Sequence, residues 1–128
     1  MTDADRVWNR AAMEGGGDSP RAGDRALSAL LLVHGMVMNG GVHHALESVD
    51  AAELAAGADG YAFFGMHDVA AFFRGAAEDP DLSELTDDTE AAANRRYEEM
   101  VPDDDHLTAR FHEVFRERTE EFAPIETA

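Results

Sequence analysis

Leu107, Phe111, Val114, Phe115, Arg118 and Phe122 recur at i, i+4, i+7, i+8, i+11 and i+15. That recurrence follows the 3.6-residue period of an α-helix, which gathers these positions on one face. Glu113, Glu117, Glu120 and Glu121 fall largely elsewhere on the same helix. Alternation of period two, the mark of a half-buried strand, is scarce in the chain. An all-α bundle of six or seven helices is therefore expected.

Start and stop signals divide the rest of the chain. Thr2 can cap a helix reaching Glu14, with Val7, Trp8, Ala11 and Ala12 as its apolar face and Gly15–Gly17 as its stop. The stretch GGGDSPRAG reads as a flexible loop. Asp24 can cap a second helix, central because Leu27, Leu30, Leu31, Val33, Met36 and Val37 surround most of its circumference. Asn39, Gly40 and Gly41 interrupt it, and VHHALESV starts a short third helix. The two glycines are read as a positive-φ hinge with Asn39 bonding local backbone. Asp50 and Glu53 have capping-box spacing, and Gly57 is expected to close that turn. A longer helix should run from Asp59 to Asp79-Pro80, with Tyr61, Phe64, Phe72 and Phe73 in the core. Thr86, Asp87, Asp88 or Thr89 can cap a helix to Met100. Pro102 breaks the chain, and Asp103 starts the last helix, which Pro124 ends.

The length, 128 residues, suits one domain, which can bury enough apolar surface to fold without a staple. Residues 1–24 would add a helix and a Gly-rich loop to a main body of 25–124. Cysteine is absent, which excludes disulfides and thiolate chemistry. No stretch reads as a signal peptide or a bilayer span, so a cytoplasmic location is expected. The formal net charge is -17, and every basic residue is an arginine. The charge is uneven: residues 1–76 hold 10 acids and 5 arginines, net -5, and residues 77–128 hold 17 and 5, net -12. Such a field repels phosphate backbones and anionic membranes and attracts basic protein surfaces. Genome bias or adaptation to salt would produce a similar composition.

Catalytic patterns are missing. The serines at 19, 28, 48 and 83 stand in no Gly-x-Ser-x-Gly elbow, and there is no P-loop or Gly-x-Gly-x-x-Gly. An enzyme is not expected, nor is a cofactor. A helical metal site is the alternative: His43, His44 and Glu47 sit at i, i+3 and i+4 spacings, with His34 and the His67-Asp68 pair as further donors. His43→Ala is nevertheless expected to change little, and Gly41→Val to destabilise the fold.

The acid clusters are the stronger candidates. One comprises Glu78, Asp79, Asp81, Glu84, Asp87, Asp88 and Glu90, and another Glu98, Glu99, Asp103, Asp104 and Asp105. Capping and the helix dipole explain one or two of Asp103 to Asp105. The remaining excess calls for a use or a salty environment; a basic partner surface would supply the use, and an immunity-type protein against a basic toxin would share the same electrostatics.

The order of motifs resembles the bacterial DNA-mimic protein family over about residues 25–122. The resemblance rests on the apolar helix ending in Asn39-Gly40-Gly41, the later Gly57-Ala58, the aromatic-containing helix, and RRYEEMVPDDDHLTARFHEVFRERTEEF with its Tyr97 and Phe122. The pattern departs just after the glycines, where Val42, His44-Ala45 and Glu47-Ser48 stand. The resemblance implies an all-α fold, often dimeric, without catalytic residues. It also implies surface carboxylates that imitate DNA phosphates and occupy a transcription regulator's DNA-binding face. The carboxylates of residues 98–121, including Glu113, Glu117, Glu120 and Glu121, are the ones expected to carry that role, with a basic or DNA-binding protein as partner.

Overall fold

The computed structural model describes residues 1–125. Among these residues all regular structure is helical: α1 (Asp3–Glu14), α2 (Ala22–Gly40), α3 (Val42–Ser48), α4 (Ala51–Phe63), α5 (His67–Arg74), α6 (Pro80–Ser83), α7 (Asp87–Met100) and α8 (Asp104–Glu117). Short 3₁₀ turns at Ala76–Glu78 and Thr119–Glu121 follow α5 and α8. The eighth helix beyond the expected range is α6, a single turn that Asp79 caps and Pro80 opens.

Four of the five caps read from the sequence are where local chemistry put them. Thr2 and Asp5 exchange hydrogen bonds in a capping box, and these bonds hold the Asp5 carboxyl below its usual value. Asp50 and Glu53 do the same for α4, Thr86 caps α7, and the Asp103 carboxylate accepts the His106 N–H.

Central α2 buries Leu27, Leu30, Val33 and Val37, and α4 lies closely along it. Gly57 and Gly60 make that approach possible. A Cβ on Gly57 would stand 2.5 Å from Val33 Cγ2, and one on Gly60 would collide with the Ala26 carbonyl. Gly57 therefore does not close a turn, because packing against α2 outweighs its poor helix propensity. The expected helix start at Asp59 is likewise replaced by one continuous α4, and the real break comes at Gly65, with φ +80°. Tyr61, Phe64, Phe72 and Phe73 are all buried as expected.

Three further expectations are corrected. Ala12 is exposed, since α1 turns only Val7 and Ala11 fully inward and half-buries Trp8. The last helix stops at Glu117, and Phe122 reaches the core from an extended segment. The loop Gly15–Gly17 has positive φ at all three glycines, with Gly16 buried, a geometry that does not bear on the expected flexibility of the loop. Asp24 is not the α2 N-cap; Arg21 is, and Asp24 sits three residues into the chain beyond it.

Asp24 has a larger role. Its side chain is 0% exposed and accepts from Arg10 Nη2 (2.8 Å), the Arg21 N–H (3.0 Å) and the Ala123 N–H (2.7 Å). Arg10 also donates to the Ala123 carbonyl, and Arg21 to the Glu120 carbonyl. One carboxylate thus joins α1, the start of α2 and the C-terminal segment. Gly23 lies against Phe122, where a Cβ would stand 2.7 Å from the ring.

Candidate functional site

At the hinge after α2, the glycines divide the work. Gly41 alone takes a positive φ, +94°, while Gly40 stays helical and leaves room for the His44 ring, 2.6 Å from where its Cβ would be. Asn94 of α7 completes the hinge by accepting the Val42 N–H at 2.9 Å. Asn39 does not bond local backbone; its amide lies 3.4 Å from His44 Nε2.

The histidines are absorbed by structure. His43 is buried, and its Nε2 donates to the Asp81 carbonyl at 2.7 Å. His44 half-faces solvent, and Glu47 and His67 are exposed. Among the described residues no three His, Asp or Glu side chains are arranged to hold a metal ion. Expecting little effect from His43→Ala overlooked this burial.

His34 begins a buried chain invisible in the sequence. Its Nε2 lies 2.9 Å from Asp104 Oδ1, and its Nδ1 lies 2.7 Å from the Tyr97 hydroxyl. Tyr97 in turn lies 2.7 Å from the Tyr61 hydroxyl. A carboxylate at Asp104 can only accept, which places a proton on Nε2; with the imidazole neutral, Tyr97 donates to Nδ1 and Tyr61 to Tyr97. Each nitrogen of His34 has a partner, so the imidazole is a structural link with no free lone pair for a substrate. Burial pushes both tyrosine hydroxyls well above their ordinary value; for Tyr97 the Asp104 charge adds to this and the Tyr61 bond opposes it.

The acids singled out from the sequence separate into two groups. Asp79 and Asp81 both pair with Arg96 (2.6 and 3.1 Å), whose guanidinium lies over Phe72 and is held charged chiefly by Asp79. Asp103 is a cap, Asp104 holds His34, and Glu113 and Glu121 stand near Arg110 and Arg118. The other nine, Glu84, Asp87, Asp88, Glu90, Glu98, Glu99, Asp105, Glu117 and Glu120, are exposed and have no ion pair among the described residues. Glu78 is exposed as well.

Arginine placement sharpens that asymmetry. Arg10, Arg21, Arg25, Arg74, Arg96, Arg110 and Arg118 are all engaged with carboxylates or carbonyls of the same chain. Arg118 also covers the Phe63 ring at 4.5 Å. Most of the arginines remain exposed, but seven of the ten are tied to groups of the same chain, whereas nine of these acids are exposed without an ion pair among the described residues. On α7 the acids form doublets at the two ends, Asp87-Asp88 and Glu98-Glu99. Asp88 and Glu99 share a face and are about 16 Å apart along the axis. That span is close to five single-strand steps of about 3.4 Å in duplex DNA.

These features define an all-α domain whose outward charge is predominantly negative. The chain belongs to the DMP19-like protein family, whose model matches residues 19–127. This is a family of DNA mimics, as the sequence resemblance implies, and it is not a known enzyme family. No curated protein and no solved structure matches the chain significantly. No helix among the described residues is long and apolar enough to cross a membrane.

Proposed function

We propose that this protein acts as a DNA mimic, presenting the outward carboxylates of α7, α8 and the following turn to the basic surface of a DNA-binding protein and excluding DNA from it. The observation that carries this reading is the charge balance within a DMP19-like fold: seven of the ten arginines are occupied by groups of the same chain, while nine acids of the candidate surface face solvent unpaired among the described residues. Arginine and lysine side chains that neutralise phosphates can neutralise carboxylates at comparable spacing. Long-range attraction would make association fast and salt-sensitive.

Immobilised protein, incubated with lysate of its source cells at low salt, tests the reading. Retained proteins should bind DNA, leave the matrix as salt rises and be displaced by duplex DNA. The quadruple variant Asp87→Asn, Asp88→Asn, Glu98→Gln, Glu99→Gln should retain much less. Captured proteins that do not bind DNA, or complexes that duplex DNA does not displace, would overturn it, and a basic toxin among them would favour the immunity-type reading.

A further inference from the structure

A groove of about 980 Å³ runs along the outer face of α2 between walls from α1 and α8. Its chemistry contrasts with the rest of the surface. In a chain with 29% charged residues, Arg25 and Asp104 are the only Asp, Glu, Lys or Arg lining it. Leu32 and Met36 form its crest, with Met13 exposed on the α1 side. A Cβ at Gly35 would meet nothing within 4 Å, so the floor is open to another backbone at that point. From Arg25 to Asn39 the floor is a single helix face of about four turns.

We propose that this groove receives one amphipathic helix of the partner, packing small and apolar side chains on the α2 crest and placing an arginine or lysine at Asp104. The inference deepens the mimicry reading and rests on it for the partner's basic character. Two flanking walls and a helical floor suit a helix, which enters such a groove by an i, i+3, i+4, i+7 stripe. Charge selects the occupant and its direction. The Asp104 side chain is 77% exposed although His34 fixes its Oδ1, which leaves a pre-oriented carboxylate oxygen between Asp103 and Asp105. Arg25 stands at the opposite end, so an incoming cation is attracted at one end and repelled at the other. In this groove a second copy, itself carrying a net charge of -17, is a poorer match for the exposed Asp104 than a basic helix.

Two labelled helical peptides of about four turns test the proposal against the intact protein by fluorescence anisotropy. They share one Leu/Ala stripe and differ in which end carries the single arginine. The peptide whose arginine reaches Asp104 should bind about tenfold more tightly than its counterpart, a difference of about 1.4 kcal/mol. Asp104→Asn should erase that preference, and Leu32→Arg should abolish binding of both peptides, with circular dichroism confirming that each variant is folded. The α7 quadruple variant should bind the peptides as the parent does. Equal affinity for the two peptides, or binding that survives Leu32→Arg, would overturn the proposal. So would light scattering that shows a dimer dissociated by Leu32→Arg, since a second copy would then fill the groove. If Leu32→Arg still captures the lysate partner while the α7 variant does not, the groove reading fails and mimicry stands. Failed lysate capture with ordered peptide binding leaves the groove standing and removes mimicry.

Discussion

Asp24 shows how far a residue's role can lie from its sequence context. Its position before an apolar run, with no cue from Ala123 some hundred residues away, invited reading it as a cap. Burial and three donors make it a junction. Asp24→Asn keeps the shape but removes the charge and one acceptor oxygen, leaving Arg10 uncompensated. Urea denaturation should show a loss of about 3–5 kcal/mol, the scale of breaking a buried pair. Gly41→Val should cost about 1–3 kcal/mol from its backbone conformation alone, with further crowding against Asn94. His43→Ala should cost a comparable amount, about 1–3 kcal/mol, because it leaves the buried Asp81 carbonyl without its donor. If His43→Ala leaves the denaturation midpoint unmoved, the buried bond is not contributing.

Four helices meet in the chain Tyr61–Tyr97–His34–Asp104, contributed by α4, α7, α2 and α8 in turn. Tyr97 stands in the middle and Tyr61 at the end. Tyr61→Phe should therefore cost about 1 kcal/mol and Tyr97→Phe about 2–3 kcal/mol, since the latter strands two buried groups. These are the chain's only tyrosines, which gives an alkaline test. Both hydroxyls are raised above 10.0 in the fold, so the protons stay longer on the folded state than on the unfolded one. Their stabilisation is complete below about pH 10 and is lost as pH climbs beyond it. Tyrosinate absorbance should appear together with the loss of helical circular dichroism; ionisation well before unfolding would contradict the buried chain. At this scale the legible parts were the local ones. Thr2, Asp50, Thr86 and Asp103 signal their caps within three residues. Gly57 and Gly60 resemble helix stops until Val33 and Ala26 are seen against them, so their meaning depends on a partner helix that no local pattern names.

Across the whole molecule, the acid excess was legible as composition, whereas its placement was not. Nothing in the sequence distinguishes Asp79 and Asp81, held by Arg96, from Asp87 and Asp88, which face solvent. That difference arises only when α7 brings Arg96 beside α6. Like charges at this density repel one another through dilute solution and are screened beyond about 10 Å at 0.1 M salt. The thermal midpoint should therefore rise from low salt to moderate salt, while any complex with a basic partner weakens over the same range. A midpoint that is flat with salt would show that the surface acids are too dispersed to repel one another appreciably. The clasp of Arg10, Asp24 and Arg21 on Glu120–Ala123 has a consequence for how the protein is made. The segment through Ala123, about a hundred residues after Asp24, must leave the ribosome before Asp24 finds its last donor or Phe122 covers Phe64 and Phe111. A product that stops before Phe122 would leave the Asp24 carboxylate short of a donor and the Phe64–Phe111 surface uncovered together, and such a product should be cut by protease far faster than the parent.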